Sequence, residues 1–174
     1  MLCGPNHWKV LSGTWRIQGP QEVLYLQAPE RNTGENIAVI GSHNWAGYEL
    51  EATVSILGKS IKPPEGGAIL YYHFRNPKNY CSLHLCISKG KLEVIKRFRG
   101  EWSILAEREF FLETQRKYQI TIRTGSAIDT IRINSEIQFE IHRQDIPAGC
   151  VGVGIKYCDV VFARLYLTNS SQPA

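Results

Sequence analysis

Residues 48–57 read YELEATVSIL. In an extended chain Tyr48, Leu50, Ala52, Val54 and Ile56 fall on one side, and Glu49, Glu51, Thr53 and Ser55 on the other. Alternation sustained over this length predicts a strand with one face buried and one in water. The period recurs in YQITIR at 118–123, IQFEI at 137–141 and VGVGI at 151–155, and the last apolar run is VVFARLYLT at 160–168. Turn-forming stretches separate these runs: KPPEGG at 62–67, RNPKN at 75–79, SKGK at 88–91, FRGEW at 98–102, RTGS at 123–126, IPAG at 146–149 and YCD at 157–159. The rhythm predicts about eleven to thirteen short strands, an all-β sandwich of two antiparallel sheets. The best helix candidate, EREFFLETQRKY at 107–118, is short and runs into a strand-like segment.

The 174 residues suit one domain over 1–168, with NSSQPA at 169–174 as a flexible tail. The net charge is +4, and Lys and Arg are scattered apart from KRFR at 96–99, which argues against a nucleic-acid partner. No apolar run approaches the ~18 residues of a membrane helix. The N-terminus shows no basic region followed by an apolar run, so the expected location is cytoplasmic, or secreted if an N-terminal segment has been trimmed. Of the five cysteines, Cys81 and Cys86 lie five positions apart on one strand, an odd offset. They therefore face opposite ways and cannot bridge. Free, mostly buried thiols are expected, which favours a reducing compartment, although Asn169-Ser170-Ser171 is a glycosylation sequon.

The order of local patterns is more specific than the number of strands. WKVLSGTW stands at 8–15, WAGYELEATV at 45–54, and GGAILYYHFR at 66–75 before Asn79-Tyr80. KLEVIK at 91–96, GEW at 100–102, YQITI at 118–122, PAGCVGVG at 147–154 and VFARL at 161–165 follow. From about Trp8 to Leu167 this order resembles the concanavalin A-like lectin and glucanase superfamily, most of all its laminin G-like and levan-binding carbohydrate-module branch. The resemblance implies a jelly-roll sandwich. Members include carbohydrate-binding modules, glycoside hydrolases and protein-binding domains, so the fold alone does not fix the function.

The stretch YYHFRNPKNYCSLHL at 71–85 holds most of the candidate site. Setting Phe74-Arg75 on the family's Phe-Arg places Ala68, Leu70, Tyr72 and Phe74 in the core, with Ile69, Tyr71, His73 and Arg75 outward. On the next strand Cys81, Leu83, Leu85 and Ile87 pack inward, and Tyr80, Ser82, His84 and Cys86 face out. A hairpin would gather Tyr71, His73, Arg75, Tyr80 and His84, an aromatic and cationic face suited to stacking on a sugar and fixing its hydroxyls. Glu49 and Glu51 share one strand face and are expected beside that ligand. The related glucanases carry Glu-x-Asp-x-x-Glu, whereas here Val54 stands in the third carboxylate's place, which argues against that catalytic apparatus.

In Cys81-x-x-His84-x-Cys86 only His84 and Cys86 face the same way, with His73 as a third donor, so no metal is expected. A structural calcium, common among relatives, has no acidic loop to hold it, and no other cofactor is implied. No Gly-x-Ser-x-Gly or phosphate-binding loop occurs, and the glycines of VGVG are expected to admit a strand or ring at close range. Trp8, Trp15, Trp45 and Trp102 are expected to anchor the fold, with Trp102 placed for a groove rim. The leading expectation is a non-catalytic carbohydrate-binding module. The alternatives are a glycoside hydrolase and an assembly domain forming a homo-oligomer.

Overall fold

The computed structural model describes residues 8–18, 23–26, 36–58 and 65–169. Among the described residues fourteen strands run in order: β1 (Lys9–Ser12), β2 (Trp15–Gln18), β3 (Val23–Leu26), β4 (Asn36–Ile40), β5 (Tyr48–Ile56), β6 (Gly67–Asn76) and β7 (Asn79–Cys86). After them come β8 (Lys91–Phe98), β9 (Glu101–Glu109), β10 (Lys117–Arg123), β11 (Ile128–Ile133), β12 (Glu136–His142), β13 (Cys150–Lys156) and β14 (Val160–Asn169). They form two seven-stranded antiparallel sheets packed as a jelly-roll sandwich, ordered β1-β4-β13-β6-β7-β8-β9 and β12-β11-β10-β5-β14-β3-β2. The strand count exceeds the eleven to thirteen expected. Asn169, placed with the tail, ends β14, and residues 170–174, Cys3 and residues 62–64 of the KPPEGG turn lie outside the described residues.

β5 is the core of the second sheet. Its apolar set Tyr48, Leu50, Ala52, Val54 and Ile56 is buried, as the alternation requires. In register beside it stand Ile122, Ile120 and Tyr118 of β10, and Leu167, Phe162 and Val160 of β14. The first sheet contributes Leu70, Tyr72, Leu83, Leu85, Val94, Val151 and Val153 to the same core. Each such aliphatic side chain contributes about 1.5–3 kcal/mol on leaving water, so the interior is dominated by this double layer.

The segment 107–118 is not helical. Its first residues, to Glu109, complete β9, which pairs with β8 as far as Lys91↔Glu109, and its last enter β10. Between them Leu112 is buried, Phe110 packs edge-on to Tyr118 at 6.0 Å, and the Gln115 N–H donates to the Ile56 carbonyl at 2.6 Å. The apolar residues in this segment anchor a turn to β5, a tertiary contact that outweighs the helix-forming Glu, Gln and Lys.

The glycines of β13 behave as expected. Tyr71 lies over them, and a Cβ on Gly154 would stand 2.7 Å from its ring and 3.0 Å from its hydroxyl.

Candidate functional site

The outer face of the first sheet is built around an irregularity in β6. Up to Tyr72 the alternation holds: Ala68, Leu70 and Tyr72 enter the main core, while Ile69 and Tyr71 face away from it. At His73 φ is +50°, and pairing to β7 slips between Tyr72 and Asn76, as pairing to β13 does between Cys150 and Gly152. A bulge of this kind moves the following side chains to the opposite face. His73, expected outside, therefore lies within the sandwich, and Phe74, expected in the core, joins the outer face.

Inside, the His73 ring meets β11 of the opposite sheet, with Nε2 3.0 Å from Asp129 Oδ2 and both side chains almost wholly buried. The Gly125 N–H donates to Asp129 Oδ1, and the His73 N–H donates to the Tyr48 hydroxyl at 2.9 Å. Burial pushes the Tyr48 phenol well up, so it stays protonated. These contacts join the sheets and leave His73 unable to meet an external ligand.

Outside, Ile37, Val39, Ile69, Tyr71, Phe74, Tyr80 and Cys150 form a second, smaller apolar cluster. Its rings are in contact: Tyr71 is edge-on to Tyr80 at 4.9 Å, and Phe74 stacks on Tyr80 at 5.7 Å. Tyr80 meets Trp102 edge-on at 5.9 Å. Tyr71 and Tyr80 face outward as expected but are fully covered, whereas Trp102 is 50% exposed. The Arg97 guanidinium sits 4.5 Å from the Trp102 ring, and Lys156 Nζ 6.0 Å from it.

Lys156 ends β13, and Trp102 belongs to β9, four positions away in the sheet. Strand spacings of about 4.8 Å would hold those backbones roughly 19 Å apart in a flat sheet. Their side chains reach over the intervening strands β6, β7 and β8 to meet above the outer face.

At the other end of the aromatic band a groove of about 380 Å³ is lined by Lys9, Val39, His43, Phe74, Arg75 and Cys150, among others. Arg75 Nη1 donates to the carbonyls of Ala148 at 3.0 Å and His43 at 3.5 Å, which holds the guanidinium at the rim. Burial raises the Cys150 thiol against the opposing influence of Arg75 and Lys9, and it pushes Cys81, Cys86 and Cys158 up to about 12. These four free thiols are protonated and poor nucleophiles.

Two carboxylates expected beside the site lie elsewhere. Glu49 and Glu51 are half-buried on β5, in the second sheet, next to Arg123 and Thr168, and Thr121 and Tyr166, respectively. They point away from the core on the far side of the sandwich, because strand alternation fixes a face and does not say which sheet the strand joins. His84 does face outward on β7, four residues from Tyr80, but is buried beside Glu93.

Phe74, Arg97, Lys156 and His43 are absent from the site that the sequence pattern assembles. One pair was readable. Arg99-Gly100, both with positive φ, make a two-residue hairpin turn, which sets Arg97 opposite Trp102.

A scan of family models gives no match, and a search of curated protein sequences gives none. Solved structures do match. The carbohydrate-binding module CBM66 from Bacillus subtilis is 16% identical with a TM-score of 0.76, covering 94% of this chain and 96% of that one. The exoplasmic/lumenal domain of VIP36, in a Ca2+/Man-bound form, is 14% identical with a TM-score of 0.68, covering 97% and 85%. A variant of human galectin-16 is 13% identical with a TM-score of 0.59, covering 88% and 98%. The order of its strands, the packing of its two sheets and these likenesses agree: the chain has the concanavalin A-like lectin and glucanase fold.

Proposed function

We propose that this domain binds carbohydrate without cleaving it, on the outer face of the first sheet. The observation that carries the reading is Trp102, a half-exposed indole continuous with the buried Tyr80–Tyr71–Phe74 band and flanked by Arg97 and Lys156. A large ring braced by Tyr80 and still half exposed offers apolar surface to the C–H side of a sugar. Arg97 at one end and Arg75 at the other supply planar donors for hydroxyls or a carboxylate. The buried tyrosines serve as the floor that fixes the indole, and the groove beside Phe74 and Arg75 gives room for a further sugar unit. Two of the similar structures, a carbohydrate-binding module and a Man-bound domain, support this reading.

Screening on a glycan array followed by calorimetry tests it. Wild type is expected to bind at least one glycan, and Trp102→Ala and Arg75→Ala are each expected to weaken that binding. No binding by wild type, or undiminished binding by both variants, overturns the proposal.

A second reading, an assembly face, draws on Ile104, which is 57% exposed on the edge strand β9 close to Trp102. Light scattering separates the two: a dimer broken by Ile104→Lys supports assembly, and a monomer at high concentration removes it.

A further inference from the structure

On the outer face of the first sheet, β7 and β8 bring together a set of donors that the sugar reading does not use. His84 stands directly opposite Glu93, and Cys86 lies two residues further along β7, so all three share one side of the sheet. One ligand atom from each falls within 4.8 Å of the others, and all three residues are buried. The existing contacts within the set are weak. The Cys86 thiol reaches Glu93 Oε2 at 3.5 Å, and Lys89 Nζ reaches Glu93 Oε1 at 3.4 Å. The His84 ring is more than nine-tenths buried, and its Nε2 has no hydrogen-bond partner. An orphaned buried nitrogen is costly unless something occupies its lone pair.

We propose that His84, Cys86 and Glu93 bind a divalent transition-metal ion of the zinc class. Imidazole, thiolate and carboxylate are the donors such an ion accepts, and three protein ligands leave a fourth tetrahedral position for water. Binding breaks the Cys86 S–H bond, forms a metal–sulfur bond and releases the proton to solvent. The thiolate and carboxylate then cancel the ion's two positive charges, so the buried site becomes neutral. Lys89, whose side chain is 39% exposed, releases Glu93 and turns to water. The alternation along β7 reveals only His84 and Cys86. Glu93 completes the set through the β7–β8 register, which the sequence does not display.

The full chain, reduced and freed of metal with a chelator, is titrated with Co2+ and then Zn2+. The expected result is one Co2+ per chain, with a near-ultraviolet sulfur-to-cobalt band and strong tetrahedral visible bands, displaced by Zn2+. Cys86→Ser should abolish the sulfur band, and Cys150→Ser, also on the outer face, should keep it. His84→Gln should weaken Zn2+ binding at least about tenfold. X-ray absorption of the Zn2+-loaded wild type needs no variant and should show one sulfur scatterer among nitrogen and oxygen. No sulfur band in wild type, a band that survives Cys86→Ser, or a zinc site with nitrogen and oxygen alone overturns the proposal.

Discussion

His73 Nε2 lies 3.0 Å from Asp129 Oδ2, and the two residues belong to opposite sheets. The contact exists because β6 bulges at His73, and the same bulge sends Phe74 to the outer face. One backbone irregularity therefore does two things: it pins the sandwich from within and completes the aromatic floor outside.

The pin predicts an asymmetry. Asp129→Ala leaves a buried imidazole nitrogen unpaired and should cost about 1–3 kcal/mol. His73→Ala leaves a buried carboxylate with the Gly125 N–H alone and should cost more, about 3–5 kcal/mol. Urea denaturation of both variants checks this. Losses below about 0.5 kcal/mol in both would remove the pin from the account.

Gly154 should be equally intolerant, for a different reason. A Cβ there meets the Tyr71 ring at 2.7 Å, and that ring is itself held by Tyr80 and Phe74. Gly154→Ala should destabilise by about 1–3 kcal/mol through overpacking. It should also weaken sugar binding, because the floor beneath Trp102 shifts. Denaturation and calorimetry on the same preparation read both effects.

His84 predicts a dependence on pH in the metal-free protein. Its folded-state value, lowered to about 3, lies below the roughly 6.5 of an unfolded histidine. Below about pH 6.5 the unfolded chain takes up a proton that the folded one refuses. Stability is therefore full above that range and falls as the solution is acidified towards pH 3, by up to about 1.4 kcal/mol per pH unit from this group. His84→Gln should flatten the slope between pH 6 and 4 when both proteins are denatured in the presence of a chelator. Identical slopes would contradict the burial of a neutral imidazole.

The fold is legible in residues such as Tyr48, Leu50 and Val54, because a period of two survives wherever one face is buried. The outward set Tyr71, Tyr80 and His84 was legible for the same reason. His73 and Phe74 were not, since a bulge adds one residue to the count and leaves no mark in composition. Glu49 and Glu51 show a different limit. Their face could be assigned, but sheet membership depends on pairings between strands far apart in the chain, here β5 with β10 and β14. Glu93 was missed on the same ground.

The sugar site predicts a modest but specific loss at its exposed ring. Trp102→Ala should weaken binding about tenfold, in line with an aromatic contact worth roughly 1 kcal/mol plus lost burial. Titration with the bound glycan should also change the indole fluorescence of wild type, and that change should disappear in the variant.

The most direct measurement is a map of backbone amide shifts in labelled protein as a glycan identified on the array is added. The account predicts shifts concentrated at Phe74, Arg75, Arg97 and Trp102, with Glu49 and Glu51 on the far sheet unmoved. Shifts centred on Glu49 and Glu51, or none on the outer face of the first sheet, would contradict it.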